Sequence, residues 1–460
     1  MRGMSKRVLG KDIEVFLGIP YAVPPTGDLR FRKPQPQPPW KGIYDAISVK
    51  EACMQPWSAD IPTALSEDCL YLNVWTRKAT RMAKKVPVLL WLYGGNFKTG
   101  SAFDTEYDGG VLTALQDIVA VSFNFRSGMF GFLDTNTEEA PGNVGLWDQL
   151  MAMQWIQRNI AAFGGDPDLV TVVGQSSGAM AIHLHMMSPF SVGLFRRAFF
   201  MSGTETTNPY VDSVYESMTT GNSVAEILGC VDAFQDLTTH PEKVLKCLRS
   251  KSATDIVEAT ENATAPCMLA FFPTFNTEFI PHLPSIASEK GLFRAVDAMV
   301  SVVANEGGIF FIRQYDEQLL QDDLSDYEYT AFLTALNNTF RRWLKRKIVP
   351  LGEAYLKNSS STSKAGMRQA TADFIAKHDF YCPGKIFSED NPANGGDVYG
   401  MVFGHRSQKS TDPEWVYVTH IEDVPYFFGI PFLDHGNYTD EDQKFSAYAM
   451  EILVSFARDG

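Results

Sequence analysis

Short apolar runs alternate along this chain with longer stretches of helical periodicity. The runs contain four to eight nearly continuous apolar residues, and they lie at 86–93, 118–125, 170–173, 197–201, 298–304 and 398–403. Such runs are typical of strands buried on both faces of a sheet. Helical patterns fill the stretches between them, for example at 147–162 and 177–187. This alternation predicts an α/β fold with a large, mostly parallel sheet and helices on both faces.

The chain contains no internal repeat, heptad pattern or long low-complexity stretch. By length alone it could hold about three domains. Because the strand and helix patterns alternate throughout, we expect a single domain over residues 1–460. Ligands of such sheets bind beyond the carboxyl ends of the strands. The residues just past each apolar run are therefore the first candidates for function.

The segment Gly174-Gln175-Ser176-Ser177-Gly178 fits the G-x-S-x-G pattern of a nucleophile elbow. It follows the predicted strand at 170–173 and opens the predicted helix at 177–187, which is the context that the motif requires. The glycines allow a sharp turn that side chains would block. The helix N-terminus would stabilise negative charge at the hydroxyl. We therefore predict that Ser176 is a catalytic nucleophile.

A nucleophile elbow needs an acid and then a histidine later in the chain. Glu306 lies two residues past the predicted strand at 298–304 and directly before Gly307, where a sheet presents functional side chains at its edge. Four histidines follow it: His378, His405, His420 and His435. From the residues alone, His420 and His405 both remain candidates for the base.

The charge balance excludes several classes of partner. The chain has 40 Lys and Arg against 54 Asp and Glu, a net charge of −14. Such a surface repels nucleic acids and anionic lipid headgroups, and it tolerates a cationic ligand. No window approaches the ~20 apolar residues of a membrane span. We expect a small-molecule substrate, no nucleic acid partner, no transmembrane segment and no cofactor.

The chain contains glycosylation sequons, which are typical of secreted proteins, but its first residues do not form a signal peptide. The first residues are basic, but no apolar run follows them. Glycosylation sequons begin at Asn262, Asn337, Asn358 and Asn437. We therefore expect a secreted or extracellular glycoprotein whose chain is truncated at both ends.

Several longer segments resemble type-B carboxylesterases and cholinesterases. They lie at 16–22, 66–75, 141–149, 163–167 and 194–198, with His405-Arg406, 413–415 and His420 near the end. The resemblance runs in order from Phe16 to Gly460 and implies the α/β-hydrolase fold. In that family the acid is a Glu followed by Gly, as at Glu306, and the base precedes a segment ending in Phe-Gly, as at His420. The resemblance therefore favours His420 over His405.

The resemblance implies a serine ester hydrolase that works through an acyl-enzyme. Ser176 attacks the ester, His420 takes its proton, and Glu306 orients the imidazolium. The family's oxyanion donors are backbone N–H groups that correspond to Gly95, Asn96 and Ser177 here. Asn96 stands where the family has a third glycine. A backbone N–H survives this change, so we expect activity, with the Asn96 side chain crowding the acyl site.

The six cysteines are Cys53, Cys69, Cys230, Cys247, Cys267 and Cys382. The resemblance implies the disulfides Cys53–Cys69 and Cys230–Cys247, and it matches Cys382 to a family cysteine whose partner lies beyond Gly460. We expect Cys267 to be a small buried apolar residue. No C-x-x-C pair is present, so a metal site is disfavoured.

Substrate preference is read from departures from the cholinesterase pattern. Gln175 replaces an acidic residue, and Trp57 does not lie at the matching distance from Cys69 for a cation–π contact with choline. By resemblance the acyl pocket would contain Tyr210, Cys267 and Leu269 where cholinesterases have large aromatics. We therefore expect broad carboxylester hydrolysis. The alternatives are a choline ester hydrolase and a non-catalytic adhesion relative, which is disfavoured because the whole triad is kept. A homodimer is compatible with the sequence.

Overall fold

The chain is described by a computed structural model over residues 1–58, 61, 63–83, 85–206, 210–264, 270–308 and 364–460. Its centre is a nine-stranded sheet. The strands are β1 Met4–Val8, β2 Lys11–Pro20, β3 Tyr71–Arg77, β4 Val86–Leu92, β5 Val119–Phe123, β6 Gly165–Gln175, β7 Arg197–Met201, β8 Asp297–Val303 and β9 Val398–Phe403.

The strand order is β1-β2-β3-β5-β4-β6-β7-β8-β9. From β5 onward all neighbours are parallel, whereas β1, β2, β3 and β5 pair antiparallel in turn. Every residue of β4 is buried, so both faces of the sheet centre are covered. The mostly parallel sheet is as predicted. The antiparallel strands at the start of the sheet were not predicted. Polar residues interrupt the apolar pattern of β1 and β2, so these strands lack a continuous apolar run.

Helices flank the sheet. They are α1 Lys78–Ala83, α2 Gly110–Leu115, α3 Gly128–Phe132, α4 Val144–Asn159, α5 Ser177–Met187, α6 Val214–Ile227, α7 Pro241–Ser250, α8 Ala253–Thr264, α9 Pro284–Glu289, α10 Lys364–Ile375, α11 Cys382–Ala393, α12 Val424–Phe428 and α13 Asp440–Asp459, with a π-helical turn Ala376–Tyr381 between α10 and α11. None of the helices in the described ranges is long and apolar enough to cross a membrane.

The predicted burial of one strand was wrong. The run at 398–403 does form strand β9, but it is not buried on both faces. Among the described strands β9 pairs only with β8, at the edge of the sheet, and Tyr399 and Val402 are exposed. An apolar run alone cannot distinguish a central strand from an edge strand, because the difference depends on which neighbours are present.

Both implied disulfides are present. Cys53 pairs with Cys69, and Cys230 pairs with Cys247. Cys382 is exposed and carries a free thiol at the start of α11. The prediction for Cys267 lies outside the described residues.

Candidate active site

Ser176 occupies a sharp turn between β6 and α5. Its backbone has φ 55° and ψ −126°, a conformation that side chains rarely adopt outside strained functional turns. A β-carbon on Gly174 would lie 2.6 Å from the backbone of Gly178, and one on Gly178 would lie 2.1 Å from the carbonyl oxygen of Leu92. The turn therefore requires glycine on both sides of the serine, which explains the motif spacing physically.

The elbow is held from two directions. The Ser176 N–H donates to the carbonyl oxygen of Met201 on β7 at 2.8 Å. The Ser177 hydroxyl accepts from the N–H of Phe97 at 3.2 Å, which ties the loop after β4 to the start of α5. Ser176 directly precedes the first residue of α5, and the helix dipole stabilises an anion at this end of a helix.

Glu306 and His420 form a buried pair. His420 Nδ1 lies 2.6 Å from Glu306 Oε2, and both side chains are almost completely buried. The other oxygen, Glu306 Oε1, accepts from the N–H of Val303 at 2.9 Å, at the carboxyl end of β8. A β-carbon on Gly307 would lie 1.9 Å from the carbonyl oxygen of Ala372, so the residue after the acid must be glycine. The structure therefore brings together the acid and the histidine, which are 114 residues apart.

The second ring nitrogen of His420 does not contact Ser176. His420 Nε2 lies 2.9 Å from Gln175 Nε2, and the ring of Phe380 packs 4.8 Å from the imidazole. The Ser176 hydroxyl makes no hydrogen bond to any described residue. Ser176 and His420 nevertheless line the same cleft.

The other candidate histidines have different partners. His405 Nε2 lies 2.7 Å from Asp442, and its ring stacks on Phe445 with centroids 4.2 Å apart. His378 pairs with the neighbouring Asp379, and His435 contacts Gln443. Among the described histidines that follow Glu306, His420 is the one that reaches it.

Three backbone N–H groups at or next to the cleft have no hydrogen-bond acceptor among the described residues. They belong to Gly95, Asn96 and Ser177, the residues predicted as oxyanion donors. Gly95 and Asn96 have φ values of 114° and 57°. A β-carbon on Gly95 would lie 2.2 Å from the carbonyl oxygen of Thr99, so this position requires glycine. Asn96 is half-buried and lines the cleft.

The predicted acyl-pocket residues are placed only in part. The Tyr210 hydroxyl donates to Asp379 Oδ2 at 3.2 Å, and its ring packs on Phe272 with centroids 5.5 Å apart. Tyr210 is buried and is not among the described residues that line the cleft. Cys267 and Leu269 lie outside the described residues.

Sequence reasoning missed several groups at the cleft. Asp104 and Tyr107 line it, and so do residues of the disulfide loop, namely Ser58 and Ile61. Trp57 is 79% exposed and does not line the cleft. No motif marks these positions, because they reach the cleft through the path of two loops.

Asp423 is a second buried acid beside Glu306. Neither of its carboxylate oxygens has a hydrogen-bond partner among the described residues. Burial, and then the nearby charge of Glu306, raise the pKa of Asp423 to about 8. The segment Ile421-Glu422-Asp423 resembles an ordinary solvated turn, so the burial of Asp423 could not be predicted from its residues.

The described residues contain no cluster of three His, Cys, Asp or Glu side chains suited to a metal ion. The cleft and its surroundings present a hydroxyl, an imidazole hydrogen-bonded to a carboxylate, and backbone N–H groups. This set is suited to acyl transfer.

Comparison with known proteins assigns a family model, described as the carboxylesterase family, to residues 1–460. Among curated proteins, the chain is 33% identical to the acetylcholinesterase of Bungarus fasciatus over 476 aligned residues, covering 100% of this chain and 77% of the relative. It is 34% identical to the cholinesterase of Mus musculus with the same coverage. It is 32% identical to the acetylcholinesterase of Leptinotarsa decemlineata over 489 residues, again with 100% and 77% coverage.

Proposed function

Because this chain belongs to the carboxylesterase family and is a carboxylic ester hydrolase, we propose that it works through an acyl-enzyme on Ser176, with His420 as general base and Glu306 as the orienting acid. The observation that carries the proposal is the buried 2.6 Å contact between His420 and Glu306, beside a serine in a strained elbow.

The proposed reaction follows from these positions. As the bond between Ser176 Oγ and the ester carbonyl carbon forms, the hydroxyl proton moves to His420 Nε2 and the carbonyl electron pair moves to oxygen. Glu306 is a hydrogen-bond acceptor for Nδ1, so it stabilises the imidazolium. The oxyanion's electron pair then re-forms the carbonyl, the bond from this carbon to the leaving-group oxygen breaks, and His420 gives its proton to that oxygen, which departs as the alcohol. Water, activated in the same way, releases the acid and restores Ser176.

The negative oxygen of the intermediate would be stabilised by the N–H groups of Gly95, Asn96 and Ser177. Such donors, preorganised in a site shielded from water, typically contribute on the order of 10²-fold to 10³-fold in rate each. All three lack a described protein acceptor, which leaves them available for this role.

For substrate class we propose a broad range of neutral carboxylic esters. Gln175 carries no charge at the cleft, and Trp57 projects into solvent instead of lining it. A choline ester is the second candidate, favoured by the Asp104 carboxylate in the cleft lining and by similarity to proteins named cholinesterases. We place neutral esters first because the disulfide-loop tryptophan is not positioned to hold an ammonium group.

Two features support a secretory setting. Both disulfides are of the kind that persists in oxidising compartments. Asn262 and Asn437 are exposed sequon positions, whereas Asn337 and Asn358 lie outside the described residues. We propose that the protein is secreted and glycosylated. The homodimer stays a prediction.

Replacement of the nucleophile tests the mechanism. We expect Ser176→Ala to lower kcat for p-nitrophenyl acetate by at least about 10³-fold, because triad members act as a unit. The matched control is Ser223→Ala on the exposed surface of α6, which should match wild type. Equal turnover by wild type and Ser176→Ala would favour a non-catalytic role instead.

A further inference from the structure

The hydrogen bonding of His420 differs from that of a base poised for catalysis. Its Nδ1 faces the Glu306 carboxylate at 2.6 Å, so the proton of the neutral ring is on Nδ1 and the lone pair is on Nε2. Gln175 Nε2 lies 2.9 Å from that lone pair. An amide N–H₂ group only donates. The amide of Gln175 therefore donates to the nitrogen that must receive the serine proton.

Gln175 is held firmly in this position. It is the last residue of β6, next to Ser176, and only 2% of its surface is exposed. The carbonyl end of its amide packs against Gly94, where an added β-carbon would lie 2.5 Å from Gln175 Oε1. The amide nitrogen therefore points to His420 because its oxygen faces the loop after β4.

This contact competes directly with the nucleophile. His420 Nε2 has a single lone pair in the plane of the ring, and it cannot accept fully from both Gln175 and Ser176. In the structure the amide occupies it, and the Ser176 hydroxyl has no described partner. We propose that Gln175 is a positioning residue that caps the resting general base and must release it before Ser176 can be deprotonated.

The proposal rests on the proposed triad and concerns only the acylation step. In that step the amide hydrogen bond to Nε2 breaks, and the Ser176 Oγ–H proton takes its place on the lone pair as the Oγ–carbon bond forms. The cost of this exchange is the loss of one hydrogen bond. Removing the donor should therefore speed acylation.

The experiment isolates the attack of Ser176, the step in which the serine proton moves to His420. Paraoxon, a neutral organophosphate, phosphorylates the serine once and releases one p-nitrophenol, so deacylation does not enter. We expect Gln175→Met, which keeps the length of the side chain but cannot donate, to raise the rate constant at its high-pH plateau by about threefold to tenfold, the effect of one neutral hydrogen bond. Gln175→Glu, which also lacks the donor, should raise the plateau too. Its charge should move the acid limb of the rate profile to higher pH.

Gln157→Met provides the matched control. Gln157 is partly buried, and its side-chain amide donates to two carbonyl oxygens, those of Pro167 and Leu194, away from the cleft. This variant should react at the wild-type rate, and melting temperatures check that each protein is folded. If folded Gln175→Met reacts at high pH with a rate constant at or below that of wild type, the proposal is overturned. If the Met variant is unfolded, the same comparison is made with Gln175→Glu. A wild type that never reacts with paraoxon would instead refute the triad.

Discussion

Asn96 places a side chain at a backbone position that favours glycine. Its φ of 57° lies in the left-handed region, where Asn is tolerated better than most residues. Its N–H is one of the proposed oxyanion donors, and its side chain lines the cleft. On the proposed mechanism, the same residue would supply a donor and would occupy space that an acyl group needs.

Two substitutions separate these effects. We expect Asn96→Gly to raise kcat/KM for p-nitrophenyl butyrate by roughly threefold, because the backbone donor stays and the side chain is removed. Asn96→Ala should fall below wild type, because alanine disfavours positive φ and displaces the N–H. Steady-state kinetics of the three proteins checks the order. If Ala matched Asn, the backbone conformation at this position would not limit catalysis.

Some of the site could be predicted from sequence and some could not. The Ser176 elbow and the Glu306-Gly307 pair are local patterns fixed by backbone packing, so spacing alone indicates them. The choice between His420 and His405 depends on which imidazole reaches Glu306 across more than a hundred residues, so residue spacing left both open. The Gln175 contact depends on a side-chain rotamer, which no motif records.

The elbow helix α5 contains two buried histidines. His183 packs among the rings of Phe200, Phe293 and Phe387, and its ring nitrogens have no described partner. His185 contacts Gln149 and Ser191. Burial lowers the pKa of each to about 3. The helix that carries the nucleophile therefore depends on both rings staying neutral.

This burial predicts acid instability. Because the pKa values are lower in the folded state than the usual 6.5, the unfolded chain binds more protons. The stability is complete above pH 6.5 and is lost as the pH falls toward 3. Between pH 7 and pH 5 each histidine should cost about 2 kcal/mol of unfolding free energy. Urea denaturation at the two pH values measures this loss.

We expect His183→Met to roughly halve the loss attributed to the two histidines. It should also be more stable at pH 7, since no buried nitrogen then lacks a partner. His282→Met, at an exposed position, is the control and should behave as wild type. An acid loss unchanged by His183→Met would contradict the prediction.

The strands show where apolar patterns succeed and fail. Central strands β4, β5 and β7 match their predicted runs within two residues, because burial on both faces demands continuous apolar residues. β1 and β2 escaped prediction because charged residues such as Lys6 and Glu14 interrupt them. β9 was predicted as a strand buried on both faces, which was wrong. It is exposed because no described strand pairs with its outer edge.

At the scale of the whole molecule, the net charge of −14 affects how substrates arrive. A negative surface attracts cationic esters over long range, and salt screens this attraction. The two substrate classes should therefore be compared at high salt, where the long-range attraction of the protein's charge is screened.

We expect acetylthiocholine to exceed its neutral carbon analogue, 3,3-dimethylbutyl thioacetate, by less than about tenfold in kcat/KM at 0.5 M salt. A single ion-pair contact with a residue such as Asp104 is worth only about 1 kcal/mol. The preference should be larger at 0.01 M salt. A preference of about a hundredfold that persists at high salt would identify a choline ester hydrolase. Asp104→Asn would then show whether the cleft carboxylate is its source.

The contact between Gln175 and His420 joins residues 245 positions apart. At roughly 5–20 residues per second, a ribosome needs about 12–50 s to make the intervening chain. During that interval the growing polypeptide holds its serine turn without the imidazole that would activate it. Hydrolysis is thus withheld from the nascent protein until residue 420 has been synthesised.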